Sequence, residues 1–428
     1  MTRMKESGID WIGQIPEEWE SGKVKYFSKI SAGATPDRNN LLFWNGKINW
    51  MSSGEVNQEI VKYTAETITN LALKKSSTKL LPIGTVMLAM NGQGKTKGTV
   101  AILAIETASN QSLASFIVDG NRLNNQYLYY FFKAGYSYIR GLKGEDRDGL
   151  NLQLVSNITV LLFDINEQQK IADYLDKKIA QLDRAKRLLE KQIQKLKDYR
   201  ASLIYETVTK GLDKTVPMKD SGIDWIGHVP EGWGVKAIKY IFDEIGSGST
   251  PKSDNEIFYD GDINWIQSGD LYQTDTVTSV SKTISYQGFK STSALKIYQQ
   301  PFVALAMYGA SVGNVAVSYI DACVNQAVVA MLGSSEKVSF GKYAIEASKS
   351  NLIFSAQGGT QPNISQNLIK NWSIPQPKNE EQEQVVDFLD KKTVQIDKLI
   401  QIKNEQIKNI NKQRQTLIYD YVTGKRRV

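Results

Sequence analysis

The chain contains the same sequence pattern twice, and this duplication limits the possible folds more than any other feature. Residues 4–19 read MKESGIDWIGQIPEEW, and residues 218–233 read MKDSGIDWIGHVPEGW, with twelve of sixteen positions identical. The same spacing relates residues 173–209 to 387–423, where DYLDKK matches DFLDKK and LIYETVT matches LIYDYVT. Two long repeats in one chain predict a pseudo-twofold arrangement, which is a single-chain version of a homodimer.

Each repeat has three parts in the same order. We predict leader segments at 1–19 and 213–233, globular domains at 20–162 and 234–378, and long helices at 163–212 and 379–428. Between the leaders and the helices the match is patchier, although GKINWMSSGE still matches GDINWIQSGD. The globular domains are therefore expected to share a fold and to differ in their surfaces.

The two long helices are predicted from an unbroken heptad pattern. No Pro or Gly occurs between Asn166 and about Thr209, and apolar residues recur at alternating steps of three and four. The seam comprises Leu175, Leu182, Leu189, Ile193, Leu196 and Leu203, and then Leu389, Ile396, Ile400, Ile407, Ile410 and Leu417. Arg200 and Arg414 interrupt it at equivalent positions. An antiparallel coiled-coil pair is expected, and ordinary surface helices over a core remain the alternative.

The globular domains are predicted to have a mixed α/β or α+β fold. Short strand-like runs such as GTVMLAM, GTVAILAI, FVALAM and NVAVSYI alternate with helical stretches such as NNQYLYYFFKAG. Polar and aromatic residues crowd the loops between them. Arg and Lys can contact guanine or phosphate, and Asn and Gln can contact adenine. The candidate DNA contacts are Lys47, Gln93, Lys95, Thr96, Lys97, Lys143 and Arg147, and then Lys252, Tyr308, Ser311, Gln357, Thr360, Gln361 and Asn363.

Composition is compatible with this interpretation. The 428 residues carry a formal net charge of +7, which favours an anionic partner such as nucleic acid. Cys323 is the single cysteine, so no disulfide can form within the chain, as suits a reducing cytosol. The first residues lack the apolar stretch of a signal peptide. We therefore predict a soluble, cytoplasmic protein.

The stretch AMNGQGKT at 89–96 raises the alternative of a nucleotide-binding enzyme. A P-loop requires glycine where Ala89 stands, and a helix after the Lys-Thr pair, whereas KGTVAILAI predicts a strand. The second copy, AMYGASVG at 306–313, lacks the lysine. A hairpin of two strands joined by a glycine loop is expected instead, and this loop should differ between two readers of different DNA.

The leader SGIDWIGxxPExW and the stretch GGTQPNISQNLIKNWSIPQPKNEEQEQVVDFLD resemble the specificity subunit of type I restriction-modification systems, along the whole chain. The resemblance implies a non-catalytic reader of double-stranded DNA. Each target-recognition domain would read one half of a split, asymmetric site, with the helices as spacer. Helices and leaders would dock two modification subunits, which carry S-adenosylmethionine and methylate adenine. Restriction subunits that use ATP and magnesium would complete the complex.

The first copy departs from the family pattern. The equivalent of GGTQPNIS is EDRDGLNLQ at 145–153, and ITVLLFDINEQQ lacks both prolines of SIPQPKNEEQ. The loop there should have a different shape, so the two domains should read different sequences.

An enzymatic role finds little support in the sequence. No (D/N)PP(Y/F) motif of an adenine methyltransferase occurs. His228 is the single histidine, and the equivalent position in the other copy of the leader is Gln14. A Cys/His metal cluster cannot form from one residue of each kind. We expect no catalytic, metal or cofactor site in this chain. Besides the P-loop enzyme, a coiled-coil scaffold with no DNA role remains an alternative.

Overall fold

The computed structural model describes residues 3–92, 94–142, 149–356 and 363–428. The chain divides into two compact units, of which unit 1 comprises Met1–Leu189 with Asn404–Val428 and unit 2 comprises Glu190–Lys403. Each predicted globular domain lies within one unit, together with one leader. Both long helices are shared between the units, so unit 1 joins the beginning of the chain to its end.

The elements of the first repeat run from a leader hairpin to a long helix. Its strands are β1 Met4–Glu6, β2 Gln14–Pro16, β3 Glu20–Lys23, β4 Ser28–Ala32, β5 Trp44–Met51, β6 Ile60–Val61, β7 Glu66–Ile68, β8 Val86–Ala89, β9 Val100–Leu103, β10 Ala108–Ser109, β11 Leu113–Val118 and β12 Thr159–Leu162. Its helices are α1 Asn70–Lys75, α2 Asn125–Ala134, α3 Tyr136–Gly141, α4 Leu152–Ser156 and α5 Ile165–Lys210.

The second repeat follows the same order. Its strands are β13 Met218–Asp220, β14 His228–Pro230, β15 Gly234–Ala237, β16 Glu244–Ser247, β17 Tyr259–Ile266, β18 Thr276–Val277, β19 Thr283–Ile284, β20 Phe302–Ala306, β21 Val315–Ser318, β22 Cys323–Val324, β23 Val328–Leu332 and β24 Ser373–Gln376. Its helices are α6 Tyr286–Lys290, α7 Ser335–Ser355, α8 Gln366–Asn371 and α9 Asn379–Val422.

The sheets of the two domains have the same topology. In domain 1 a five-stranded sheet has the order β4-β11-β8-β9-β6 and a three-stranded sheet the order β10-β5-β7. In domain 2 the orders are β16-β23-β20-β21-β18 and β19-β17-β22. Most neighbouring strands are antiparallel. The parallel pairs are β6 with β9 and β5 with β10 in domain 1, and β18 with β21 and β17 with β22 in domain 2. The mixed helix-and-strand fold predicted from the sequence is confirmed.

A short two-stranded ladder forms the neck of each domain. In domain 1, β3 pairs with β12 in the register Lys23↔Thr159, and in domain 2, β15 pairs with β24 in the register Ala237↔Ser373. The chain thus enters and leaves each domain through adjacent antiparallel strands. This neck makes each domain a topologically separate insertion between its leader and its long helix.

The central strands are apolar because both faces of the sheet are covered. Every residue of β8 and of β20 is buried, as expected for a strand with helices on one side and loops on the other. In domain 1 the covering helix is α2, whose six consecutive residues 127–132 are all buried. This packing holds the end of β8, and so the start of the AMNGQGKT loop, in a fixed position.

The repeated leader motif has a backbone explanation. Gly8 and Gly13 adopt φ values of +71° and +68°, and Gly222 and Gly227 adopt +72° and +70°. Glycine reaches this left-handed region without the steric cost that a Cβ would bring. The two glycines of SGIDWIG close the turn between the leader strands in both copies, so the same sequence is needed twice.

Within each unit the long helices lie antiparallel. In unit 1, Tyr174 contacts Tyr421 and Arg414 Nε lies 3.5 Å from Asp183. In unit 2, Lys403 donates to Gln192 and Arg200 Nε lies 3.3 Å from Asp397. In both units the residue number falls on one helix as it rises on the other.

The heptad positions are the covered positions of these helices. Leu175, Ile193, Leu389 and Ile396 are buried; Leu182, Leu189, Leu196, Leu203, Ile400, Ile407, Ile410 and Leu417 are half-buried. Leu188, one residue from the seam, is 54% exposed. The pattern of burial therefore follows the register of the sequence.

Candidate nucleic-acid interface

The AMNGQGKT segment forms the loop of a β8–β9 hairpin, as the sequence predicts. Gly94 and Gly98 have φ values of +59° and +82°, so the chain turns sharply and continues into β9 rather than into a helix. Arg140 on α3 donates to the carbonyls of Gly94 at 2.7 Å and Lys97 at 3.3 Å. The loop is thus fastened by its backbone, and the Lys95 side chain is left exposed. This geometry lacks the helix that a P-loop uses to bind phosphate.

Domain 2 places an equivalent loop at the end of β20. The Met307 N–H donates to the Ala327 carbonyl at 2.7 Å, as the Met90 N–H of domain 1 donates to Ser112 at 2.8 Å. Lys349 Nζ donates to Asn314 Oδ1 at 2.6 Å, which fastens this loop from the neighbouring helix α7. The two loops therefore share their place in the fold but are held by different side chains.

In each domain a residue from a second chain segment is hydrogen-bonded to the same sheet end. The Leu150 N–H donates to the Met90 carbonyl at 3.2 Å, and the Ile364 N–H donates to the Met307 carbonyl at 2.8 Å. Ile364 directly follows the candidate contact Asn363, and Leu150 lies three residues after the candidate Arg147. Of those contacts, Asn363 is exposed. Six other candidate contacts lie outside the described residues: Gln93, Lys143, Arg147, Gln357, Thr360 and Gln361.

The remaining candidates differ in accessibility. Thr96, Lys97 and Tyr308 are half-buried in the hairpin loops. Ser311 is only 5% exposed, so little of its side chain is accessible to DNA. A sequence pattern that marks a loop does not reveal which of its side chains turn inward.

Lys47 and Lys252 lie in another part of their domains. Lys47 is exposed on β5 of the three-stranded sheet, and Lys252 is exposed in the loop between β16 and β17. The matching positions in the other copy carry the opposite charge, since Asp262 corresponds to Lys47 and Asp37 to Lys252. These surfaces therefore differ in electrostatic potential between the two domains, as two readers of different sequences require.

The sequence alone missed a cluster of charges that seats each domain on the helices. In unit 1, Glu59 of domain 1 accepts from Arg414 on α9 at 2.7 Å and pairs with Lys133 on α2, also at 2.7 Å. Burial disfavours the charge of Glu59, but the hydrogen bonds and charges of these two cations outweigh it and lower the pKa of Glu59. We call Arg414, Glu59, Lys133 and Asp183 docking cluster 1.

Unit 2 contains docking cluster 2, formed by Arg200, Asp275, Lys342, Glu346 and Asp397. Arg200 on α5 is bonded to both Asp275 and Glu346 of domain 2, and Lys342 pairs with Glu346 at 2.8 Å. The Arg200 side chain is only 14% exposed. The one available signal was that arginine interrupts the apolar heptad seam at the same position in both helices.

Two further kinds of contact, each present in both units, join domains and leaders to the helices. Tyr130 donates to Asp176 on α5 at 2.5 Å, and Tyr343 donates to Asp390 on α9 at 2.6 Å. Tyr419 donates to the Ile12 carbonyl of leader 1, just as Tyr205 donates to Ile226 of leader 2. The LDKK stretches that repeat in the sequence therefore dock the domains, and the repeated LIY stretches dock the leaders.

We expect docking cluster 2 to make the stability of the fold depend on pH. Burial opposes the ionisation of Glu346, but Lys342 and Arg200 outweigh it and lower the pKa of Glu346 from its ordinary value of 4.5. A carboxyl whose pKa is lower in the folded chain stabilises the fold above the unfolded pKa, and this contribution is lost as pH falls through the folded pKa. We expect the free energy of unfolding to fall more steeply below about pH 4.5 in the wild type than in Glu346→Gln.

Urea unfolding between about pH 5 and pH 3 measures this difference. Glu383→Gln, on the exposed face of α9, is the matched control and should keep the wild-type pH dependence. If the free energy of unfolding fell equally steeply with pH in all three proteins, the stabilising role of ionised Glu346 would be contradicted.

A cavity of about 740 Å³ lies within unit 1 beside the base of the hairpin loop. Its lining includes Thr99, Lys133, Tyr136, Arg414 and Tyr419. Because both cations already pair with Glu59, the lining carries little uncompensated charge.

In the part of the chain that the structure describes, no three His, Cys, Asp or Glu side chains are grouped so as to hold a metal ion. Burial raises the pKa of the Cys323 thiol to about 12, so it is protonated at neutral pH. Among the described helices none is long and apolar enough to span a membrane.

Two copies of one domain, each seated on antiparallel helices and each presenting a variable hairpin loop at one sheet end, define a tandem recognition protein. The family model described as "Type I restriction modification DNA specificity domain" matches residues 16–197 and again 230–412. The chain therefore belongs to the family of type I restriction-modification DNA specificity domains, of which it carries two in tandem.

Known relatives agree with this assignment. The MjaIX specificity subunit of a type I restriction enzyme from Methanocaldococcus jannaschii is 25% identical, over 88% of this chain and 87% of the relative. The EcoR124I/EcoR124II specificity subunit from Escherichia coli is 27% identical over 40% of this chain and 41% of its own. The similarity to a specificity subunit predicted from the sequence is confirmed.

Solved structures share the fold. A chain from a study of assembly and conformational transition of the type I R-M system has a TM-score of 0.74 at 15% identity, covering 96% of this chain and 99% of that one. The HsdS subunit from Thermoanaerobacter tengcongensis has a TM-score of 0.54 at 14% identity, covering 96% and 98%. At these identities the similarity concerns the fold alone.

Proposed function

We propose that this chain is the non-catalytic DNA reader of a type I restriction-modification complex, in which each domain reads one half of a split, asymmetric site. One observation carries the proposal. Both domains present a hairpin loop at the same sheet end, where Leu150 or Ile364 makes the same backbone contact, and the side chains of the two hairpin loops differ. A common frame with divergent loops is what two readers of unlike sequences need.

The exposed groups suit duplex DNA. Lys95 can neutralise a phosphate, while Asn91 and Asn363 are exposed amides of the kind that pair with adenine in the major groove. The net charge of +7 adds a general attraction to the DNA backbone. Phosphate contacts would set orientation, and the loop residues that differ between the domains would set sequence preference.

The helix pair is proposed as spacer and as docking site for two modification subunits. These would carry S-adenosylmethionine and methylate adenine, and restriction subunits using ATP and magnesium would join them. Val394, Leu399 and Ile402 on α9 are 67%, 47% and 44% exposed. Apolar side chains exposed this close together favour contact with another protein. The relatives named as specificity subunits of restriction enzymes support the same role.

The two alternatives have weaker support. A P-loop enzyme would need a helix after Thr96, where β9 follows instead. A scaffold without a DNA role leaves unexplained why equivalent loops at one sheet end differ while the seating of the domains is kept.

Methylome sequencing of a host that carries this chain with its modification subunits tests the proposal. We expect one bipartite motif with a fixed spacer. The assembled complex should bind a duplex with that motif at least about a thousandfold more tightly than a random duplex, with affinity falling as salt rises. Equal affinity for both duplexes would favour the scaffold, and ATP binding lost in Lys95→Ala would favour the P-loop enzyme.

A further inference from the structure

We infer that five residues in each unit form a shared docking code, which positions each recognition domain on the helices and thereby aims its hairpin loop. The inference rests on the proposed function as a DNA reader. The helices supply an arginine and two aspartates, and the domain supplies an acid and a tyrosine. The five are Arg414, Asp183, Asp176, Glu59 and Tyr130 in unit 1, and Arg200, Asp397, Asp390, Asp275 and Tyr343 in unit 2.

The duplication supplies the first argument. The three helix residues are identical in the two repeats and lie 214 positions apart. The domain residues keep their chemistry, a carboxylate and a tyrosine, although the domains around them have diverged. Glu59 directly precedes β6, and Asp275 directly precedes β18, so the two acids occupy the same place in the fold. A docking contact retained through such divergence is a shared feature of both units.

The charges supply the second argument. Arg414 and Arg200 lie in an apolar seam, where a leucine would stabilise the helix pair more simply. Their side chains are 19% and 14% exposed. Each guanidinium reaches carboxylates of the domain and of the opposite helix, and its planar fork fixes direction as well as distance. Arginine at this position therefore restricts the orientation of the domain.

The backbone supplies the third argument, since it connects the arginine to the loop. The Glu59 carbonyl accepts from the Ile102 N–H at 2.9 Å, and Ile102 lies on β9, the strand that leaves the hairpin loop. In unit 2 the Asp275 carbonyl accepts from Val317 at 3.0 Å on β21, the corresponding strand. In both units the arginine thus binds an acid, Glu59 or Asp275, whose carbonyl is hydrogen-bonded to the strand that follows the hairpin loop.

The remaining charges are particular to each domain. Lys133 of domain 1 corresponds to Glu346 of domain 2, because both lie three residues after the docking tyrosine. Lys133 pairs with the acid Glu59, and Glu346 pairs with the cation Lys342. The helix residues thus form the common half of the code, and the domains adapt to it.

The test compares Arg414→Ala with Arg200→Ala, which are matched controls for each other. Each chain is assembled with its modification subunits, and dissociation constants are measured for the target duplex and for duplexes with either half scrambled. In Arg414→Ala we expect discrimination of one half to fall about tenfold while the other half is still read. In Arg200→Ala the affected half should be the other one. Arg414→Lys keeps the charge without the fork and should fall between wild type and Arg414→Ala.

If the arginines only stabilised the fold, each alanine variant would have a lower unfolding temperature and would discriminate both halves of the site less well. Equal loss at both halves, or unchanged reading in both variants, would overturn the docking code. Tyr130→Phe and Tyr343→Phe remove one hydroxyl each and repeat the comparison if the arginine variants do not fold. A wild-type complex that ignores both scrambled halves would instead refute the proposed function, so the two failures are distinguishable.

Discussion

A chain in which residues 20–162 are replaced by a second copy of residues 234–376 is expected to direct methylation to a site with two identical halves. The exchanged segments begin and end in the neck ladders, β3 with β12 and β15 with β24, so the junctions fall in matched antiparallel strands. The helices would offer Arg414, Asp183 and Asp176 to the incoming domain, which carries the complementary Asp275 and Tyr343. One half of the original motif should vanish entirely.

Methylome sequencing of a host carrying the exchanged chain measures this outcome. The reciprocal exchange, with residues 20–162 in both places, is the control and should give a site built from the other half alone. Retention of the original asymmetric motif would contradict the modular reading of the two domains. A chain that folds with normal thermal stability but no longer assembles would show that docking depends on contacts particular to each domain.

Leu389→Asp is expected to destabilise the chain by at least about 3 kcal/mol, because it buries a carboxylate among apolar side chains with no cation to pair with it. Leu389 is fully buried on α9, in the core that joins this helix to domain 2. Leu399→Asp, ten residues along the same helix, is the matched control. Leu399 is 47% exposed, and its substitution should change stability by no more than about 0.5 kcal/mol.

Chemical denaturation of the two variants, followed by circular dichroism, gives the comparison. Similar losses at the two positions would show that the seam is not the buried face of α9. Leu189→Asp tests the seam in unit 1, where the leucine is only half-buried. A half-buried carboxylate retains part of its hydration, so we expect a loss between those of the other two variants.

Local sequence patterns predicted the secondary structure well, because their causes are local. The heptad pattern and the absence of Pro and Gly predicted a long helix at 163–212, and the structure has α5 at Ile165–Lys210. The missing first glycine and the strand-like KGTVAILAI predicted a hairpin in place of a P-loop, and β8 and β9 form it. Neither prediction depended on knowing which distant segments meet.

The candidate site was less predictable, since accessibility depends on how a loop folds. The sequence predicts Tyr308 and Ser311 as DNA contacts because they are polar residues of a loop, but Ser311 is buried. The docking clusters could not be predicted from the sequence for another reason. Glu59 and Arg414 are 355 positions apart in the chain, and nothing in either local sequence marks them as partners.

By itself the sequence determined that this protein is a duplication: two leaders, two mixed α/β domains and two long helices, in a family of DNA specificity domains. A repeat, a heptad and a glycine turn can be identified from neighbouring residues, so they need no knowledge of the fold. Only the tertiary structure decided that the chain's end returns to its beginning in unit 1. It alone also decided that the arginines in the seam hold the recognition domains. Those facts rest on contacts between distant segments, which form only when the whole unit has folded and buried their charges together.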